Sequence, residues 1–192
     1  MAPGTQNLRL HLREATAQAH DRLDAGMRSV AGWSDLSQYS RFLSLQYAAR
    51  QSVEDWLSEH AEPGLLPPPQ IQLIARDLAA LDAPIPEAAQ FAFSETRPAA
   101  VGGIAWALAG SSLGNRAILK DIRRAAGGAS IWPETFLADP AMPAFWADLR
   151  RRIEGPASPH EAEAARAAAA ALFDHFTTAV LSHTPREAVF VS

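Results

Sequence analysis

Four residues near the start of the chain stand out for their chemistry and spacing: Arg9, Arg13, Thr16 and His20. They follow at steps of four, three and four, so a helix would place them on one face. An imidazole can ligate a transition metal or move a proton near neutral pH. A guanidinium presents a planar fork that grips both oxygens of a carboxylate. Arg13 and His20 would lie two turns apart, about 10 Å along the axis. A lone helical histidine is usually solvated or a satisfied core residue. The arginine sharing its face is what singles out His20.

The second feature is the stretch from Val101 to Lys120. It reads as helix, yet it contains Gly102, Gly103, Gly110 and Gly114. Each interior glycine costs about 1 kcal/mol relative to alanine. Gly103, Ala107, Gly110 and Gly114 share one helical face that is almost free of side chains. Three explanations fit such a face: close helix–helix packing through small residues, a nucleophile elbow, or a helix lying over a flat ligand. Gly110-Ser111-Ser112-Leu113-Gly114 matches the elbow pattern G-x-S-x-G, with Ser112 as nucleophile.

These residues need a frame to hold them. The 192 residues fit one domain with a real core. We place its limits at 8–183, with a disordered tail at 1–7 and a C-terminal tail at 184–192. The net charge of −4 argues against a nucleic-acid or anionic-membrane surface. The absence of cysteine excludes disulfides, thiolate ligands and iron–sulfur clusters. Met1 to Asn7 lacks the apolar core of a signal peptide. Pro98 to Gly110 is too short to span a bilayer, so a cytoplasmic protein is expected.

Apolar periodicity predicts a first helix from Leu8 to Asp24, with Leu8, Leu12, Ala15, Ala19 and Leu23 facing the core. Gly26 and Gly32 bracket a connection. Asp35 and Gln38 resemble a capping box that opens a helix running to about His60. A third helix follows from Ile71 to about Leu81, then a short helical turn at Glu87 to Phe93. Pro98 opens the glycine-bearing helix, which is expected to end near Gly127-Gly128. Another helix carries Phe145, Trp146, Leu149 and Ile153. Ser158-Pro159-His160-Glu161 starts the last one. No segment alternates with a period of two. The fold class is all-α, a single domain of about six to eight helices.

An elbow needs a strand before its serine, and the residues before Ser112 are helical in composition. The ligand reading has more behind it. Leu12-Arg13-Glu14-Ala15-Thr16-Ala17-Gln18-Ala19-His20 resembles the proximal helix of haem oxygenases. Gly110-Ser111-Ser112-Leu113-Gly114 resembles their distal helix, particularly in the bacterial, bacteriophytochrome-associated branch. Phe145-Trp146-Ala147-Asp148-Leu149-Arg150 is similar to a later helix that offers an arginine to a haem propionate. The likeness extends from about Leu8 to Leu181.

The resemblance implies a haem-oxygenase-like fold with haem between a proximal helix and a glycine-kinked distal helix. It implies cleavage of haem b at a meso carbon, dependent on O₂ and an external electron donor, to biliverdin, CO and ferrous iron. His20 would be the iron ligand. Arg9, Arg13, Thr16, Ala107 and Arg150 would help to hold the haem, with Arg13 and Arg150 on its propionates. Gly110, Ser111, Gly114 and Asn115 would form the catalytic roof. Implied partners are a ferredoxin, flavodoxin or reductase, and a bacteriophytochrome that accepts biliverdin. No nucleic acid or membrane is implied, and a monomer is expected. Ser111 stands where animal members commonly carry aspartate, and Ala105 where they carry a tyrosine. A non-catalytic haem carrier on the same fold is the alternative.

Overall fold

The computed structural model describes residues 6–126 and 132–182. Its helical segments are α1 (Leu8–Val30), α2 (Leu36–His60), α3 (Ile71–Ala80), α4 (Pro98–Gly110), α5 (Ser112–Ala125), α6 (Ala141–Ile153) and α7 (Pro159–Ser182). Segments α4 and α5 are two halves of one rod broken at Ser111, so the all-α expectation holds. Gln6 and Asn7, assigned to the tail by sequence, form β1, which pairs antiparallel with β2 (Pro156–Ala157). Residues 1–5 and 184–192 of the expected tails lie outside the described residues, as does Gly127-Gly128. No helix among the described residues is long and apolar enough to cross a membrane.

The starts of most helices follow from their caps. Asn7 accepts the N–H of Leu10 through its side chain, and Asp35 accepts that of Gln38. Ser158 and Glu161 exchange bonds as a capping box: the Ser158 hydroxyl accepts the Glu161 N–H, and the Glu161 carboxylate accepts the Ser158 N–H. The start of α3 is capped from another helix, because the Glu54 carboxylate accepts the N–H groups of Gln70 and Ile71. That bond fixes α3 against α2.

Three expectations need correction. Helix α1 runs through Gly26 to Val30 instead of stopping at Asp24, because Met27 and Val30 extend its buried stripe. Ala15 is exposed and Thr16 buried, so the stripe passes through Leu12, Thr16, Ala19 and Leu23. Thr16 can be buried because its hydroxyl donates to the Leu12 carbonyl at 2.8 Å. Glu87 to Phe93 is irregular, not helical. Its polar backbone groups bind α2 instead: the Ala89 N–H donates to Ala48, Ser52 donates to the Ala89 carbonyl, and the Trp56 indole donates to Phe93.

Helix α7 is the central post. The β1–β2 pair brings the starts of α1 and α7 together, and Gly26 of α1 lies against Val180 near the other end. The two helices therefore run side by side in the same direction. Helix α4 is buried almost all round, as its continuous apolar sequence requires. It reaches α7 at Gly103, where a Cβ would sit 2.8 Å from the Ala165 carbonyl carbon and 2.9 Å from its Cα. Gly103 thus serves the small-residue packing explanation. His175 of α7 bonds through Nε2 to the Ala49 carbonyl of α2 at 2.8 Å. Burial holds that imidazole below its usual pKa, partly offset by this bond.

Two outcomes follow from this packing. Gly103→Ala is expected to cost about 1–3 kcal/mol, read as a lower urea midpoint. A midpoint equal to the parent's would remove the α4–α7 contact. The His175 pKa is lower folded than unfolded, so the unfolded chain binds more protons as pH falls through about 6.5. Its contribution to stability is whole above that pH and is lost below it. Urea midpoints between pH 7.5 and 5.5 should fall, and His175→Gln should flatten that fall. An identical slope in the variant would contradict this role.

Candidate functional site

Helices α1 and α4 both pack on α7 but barely on one another. The wedge between them continues along α5 as a cavity of about 940 Å³. That is near the upper end of the range for small-molecule sites. Leu172, Phe173 and Phe176 of α7 form its floor. Arg9, Arg13, Thr16 and His20 line one wall, together with Asp21 and Asp24. Ala107, Gly110, Ser111, Gly114 and Asn115 line the other, together with Trp106. Trp146 of α6 and Gln46 of α2 close the sides.

On the first wall the His20 side chain is 54% exposed. Its Nδ1 lies 3.7 Å from the Asp24 carboxylate, one turn further on, and 3.9 Å from Asp21. These distances suit charge attraction and exceed a good hydrogen bond. The ring meets Phe173 edge-on at 6.0 Å between centroids. Nε2 has no hydrogen-bond partner among the described residues, so one nitrogen is free for a ligand. Arg9 forms an ion pair with Glu154 at 2.8 Å. Arg13 has no ion-pair partner among the described residues.

The second wall shows why the glycine stripe breaks. Ser111 donates its hydroxyl proton to the Leu108 carbonyl at 2.7 Å and sits between α4 and α5. A side chain that bonds back to the preceding turn competes with the helical ladder and bends it. The glycines on either side of this break have different surroundings. A Cβ on Gly110 would touch Trp146 at 3.7 Å, whereas one on Gly114 would meet nothing within 4 Å. Gly114 therefore opens onto the cavity. The stripe does two jobs: Gly103 packs against α7, while Gly110 and Gly114 leave backbone bare. Ser112 is buried at 2% exposure with helix before it and no strand beside it, so the elbow lacks its setting.

No protein-family model matches this chain, and no curated protein matches it. The candidate site is therefore argued from geometry. Nine of the residues singled out by sequence meet at one cavity: Arg9, Arg13, Thr16, His20, Ala107, Gly110, Ser111, Gly114 and Asn115. Arg150 is not brought to it. That residue is half exposed on α6, with its Nε 3.7 Å from Glu154, the carboxylate that also holds Arg9. Glu154 thus ties Arg150 to the start of α1.

Sequence reasoning missed the α2 contribution. Arg50 is 2% exposed and donates to the Ser111 hydroxyl oxygen at 2.7 Å and to Gln46 at 3.1 Å. Its guanidinium lies over the Phe136 and Phe176 rings at 5.4 and 6.0 Å. A signal was available. Leu43, Gln46, Arg50, Val53 and Leu57 repeat at steps of three and four, so two polar residues occupy a core stripe.

The open space at Gly114 gives a sign test against Gly103. Gly114→Ala should stabilise the ligand-free protein by up to about 1 kcal/mol, through helix propensity alone. Denaturant unfolding reads this directly. A loss comparable to that of Gly103→Ala would mean the cavity wall is packed there.

Proposed function

We propose that the chain is a haem oxygenase, with haem held in the α1/α4–α5 cavity. The observation that carries this reading is that His20 and the bare backbone of Gly110 and Gly114 border the same cavity from opposite helices. The residues present fit the group. The floor is aromatic and aliphatic, as a flat apolar ring requires. One imidazole nitrogen is free for a ligand, and a carboxylate lies 3.7 Å from the other. Arg13 and Arg9 stand about two and three turns from it on the same face, suited to carboxylates at the ligand's edge.

Bound haem supplies the redox-active iron at which dioxygen is activated. The chain's residues then have separable tasks. His20 would bind the metal through its free Nε2, with the Asp24 carboxylate on the side of Nδ1. Arg13, with no ion-pair partner among the described residues, is the stronger carboxylate clamp; Arg9 shares its charge with Glu154. The bare peptide at Gly110 and Gly114 lets the ligand face approach the backbone closely. Phe173 and Phe176 exclude water from below. Biliverdin, CO and ferrous iron are the expected products. A small ferredoxin, flavodoxin or reductase would supply electrons in a cytoplasmic setting. A bacteriophytochrome is a fitting recipient of the biliverdin.

Titration of the purified protein with haem should develop a Soret band at one equivalent. Adding O₂ and a reductant should then replace it with a bilin, identified by chromatography. His20→Ala should abolish that conversion; pigment formation at the parent rate would remove His20 from the role. A parent protein that binds haem tightly but forms no bilin would be the carrier.

A further inference from the structure

We infer that Arg50 is a positioning residue that sets the hydrogen-bonding character of the cavity wall facing His20, by clamping Ser111 and Gln46 together. Both clamped residues line the cavity, while Arg50 lies behind them in the core. A guanidinium can only donate. Its Nε is 3.1 Å from the Gln46 side-chain oxygen, and its terminal nitrogen is 2.7 Å from the Ser111 hydroxyl oxygen. The partner atom on Gln46 must therefore be the carbonyl oxygen, which fixes the amide's orientation. Its NH₂ group is left without a partner among the described residues, available to the cavity. Ser111 is fixed in the opposite sense. Its single proton is committed to the Leu108 carbonyl, and one lone pair takes the Arg50 N–H. Ser111 cannot donate to a ligand without breaking its bond to the Leu108 carbonyl. Gln46 is therefore a donor that Arg50 aims at the cavity, beside the unpartnered Trp106 indole N–H and the Asn115 amide.

The buried charge supports the same conclusion. No carboxylate lies within ion-pair distance of Arg50 among the described residues. Glu54, one turn on, spends its oxygens on the N–H groups at the start of α3. One terminal nitrogen of Arg50 is buried without a partner. Burial draws the guanidinium down to about 10, which still leaves it charged at neutral pH. A cation held in the core with its bonds unfilled is costly. Here its two made bonds both end on cavity-lining groups, and its field favours a hydrogen-bond acceptor or small anion opposite His20.

The test has two arms, the second of which rests on the haem reading. In the haem-free protein, ¹⁵N spectra should show the Gln46 side-chain amide as a dispersed, sharp pair. Arg50→Met should move it to the solvent-averaged position, and Arg50→Lys should restore part of the dispersion. An unchanged Gln46 pair in folded Arg50→Met would overturn the positioning role, whether or not the protein binds haem. In the ferric haem complex, fluoride is titrated by absorbance. Gln46→Leu and Arg50→Met should each weaken fluoride binding about tenfold, the loss of one charge-supported hydrogen bond. The double variant should be no weaker than either single one, because Arg50 acts through Gln46. Additive losses, or an unaltered affinity in Gln46→Leu, would overturn the assignment of Gln46 as donor. A parent that takes up no haem would defeat the proposed function and leave the amide spectrum to decide Arg50.

Discussion

The contact on which the rest depends is the close approach of α4 to α7 at Gly103. With no side chain there, the α4 backbone lies almost directly on the Ala165 peptide. Helix α1 leans on another face of the same post. Helices α1 and α4 barely touch one another, and the space between them is the cavity. Its floor is whatever α7 presents, which is Leu172, Phe173 and Phe176. The cavity thus results from packing geometry. A core of interdigitated side chains transmits such a constraint because it has little room to relax.

The break at Ser111 turns this packing into a site. Before it, α4 is fully apolar and buried; after it, α5 is amphipathic, with Leu113, Gly114 and Arg116 exposed. A straight helix would have carried one small-residue face along its whole length. Past the break, Gly114 has no packing neighbour and lines the cavity across from α1. The hydroxyl bond to Leu108 and the Arg50 donor both act at that residue, so bend and wall chemistry are controlled from one place.

Much of the fold could be read from sequence because it is written in local signals. The Ser158–Glu161 cap, the apolar stripe of α2 and Pro98 at the start of α4 all mark their elements. The errors fell where tertiary partners replace local ones. Glu87 to Phe93 looks like a helical turn by itself, yet its backbone is satisfied by Ala48, Ser52 and Trp56. Gly26 reads as a helix stop, but Met27 and Val30 beyond it have a core to enter. For the site, shared helical faces located His20 and Gly114, since a helix fixes which residues share a side. They could not show that Gly103 and Gly114 have different neighbours, because that depends on the break. Arg150 sits in a basic run whose periodicity does not say which arginine turns inward, and Glu154 holds it elsewhere.

The charges around the cavity are arranged by wall. Carboxylates lining it come from α1, where Asp21 and Asp24 flank His20. On the α4–α5 side the lining groups are neutral, and the nearest buried charge behind them is the Arg50 cation. Negative charge beside an imidazole raises its power as a metal donor. Positive charge behind neutral donors favours electron density arriving on the opposite face. The α1 wall also carries Arg9, Arg13 and Arg28, so it holds charges of both signs, while the α4–α5 wall presents none at its surface. What distinguishes the walls is therefore where charge sits: both signs at the cavity surface on α1, and a single cation buried behind Ser111 on the other side.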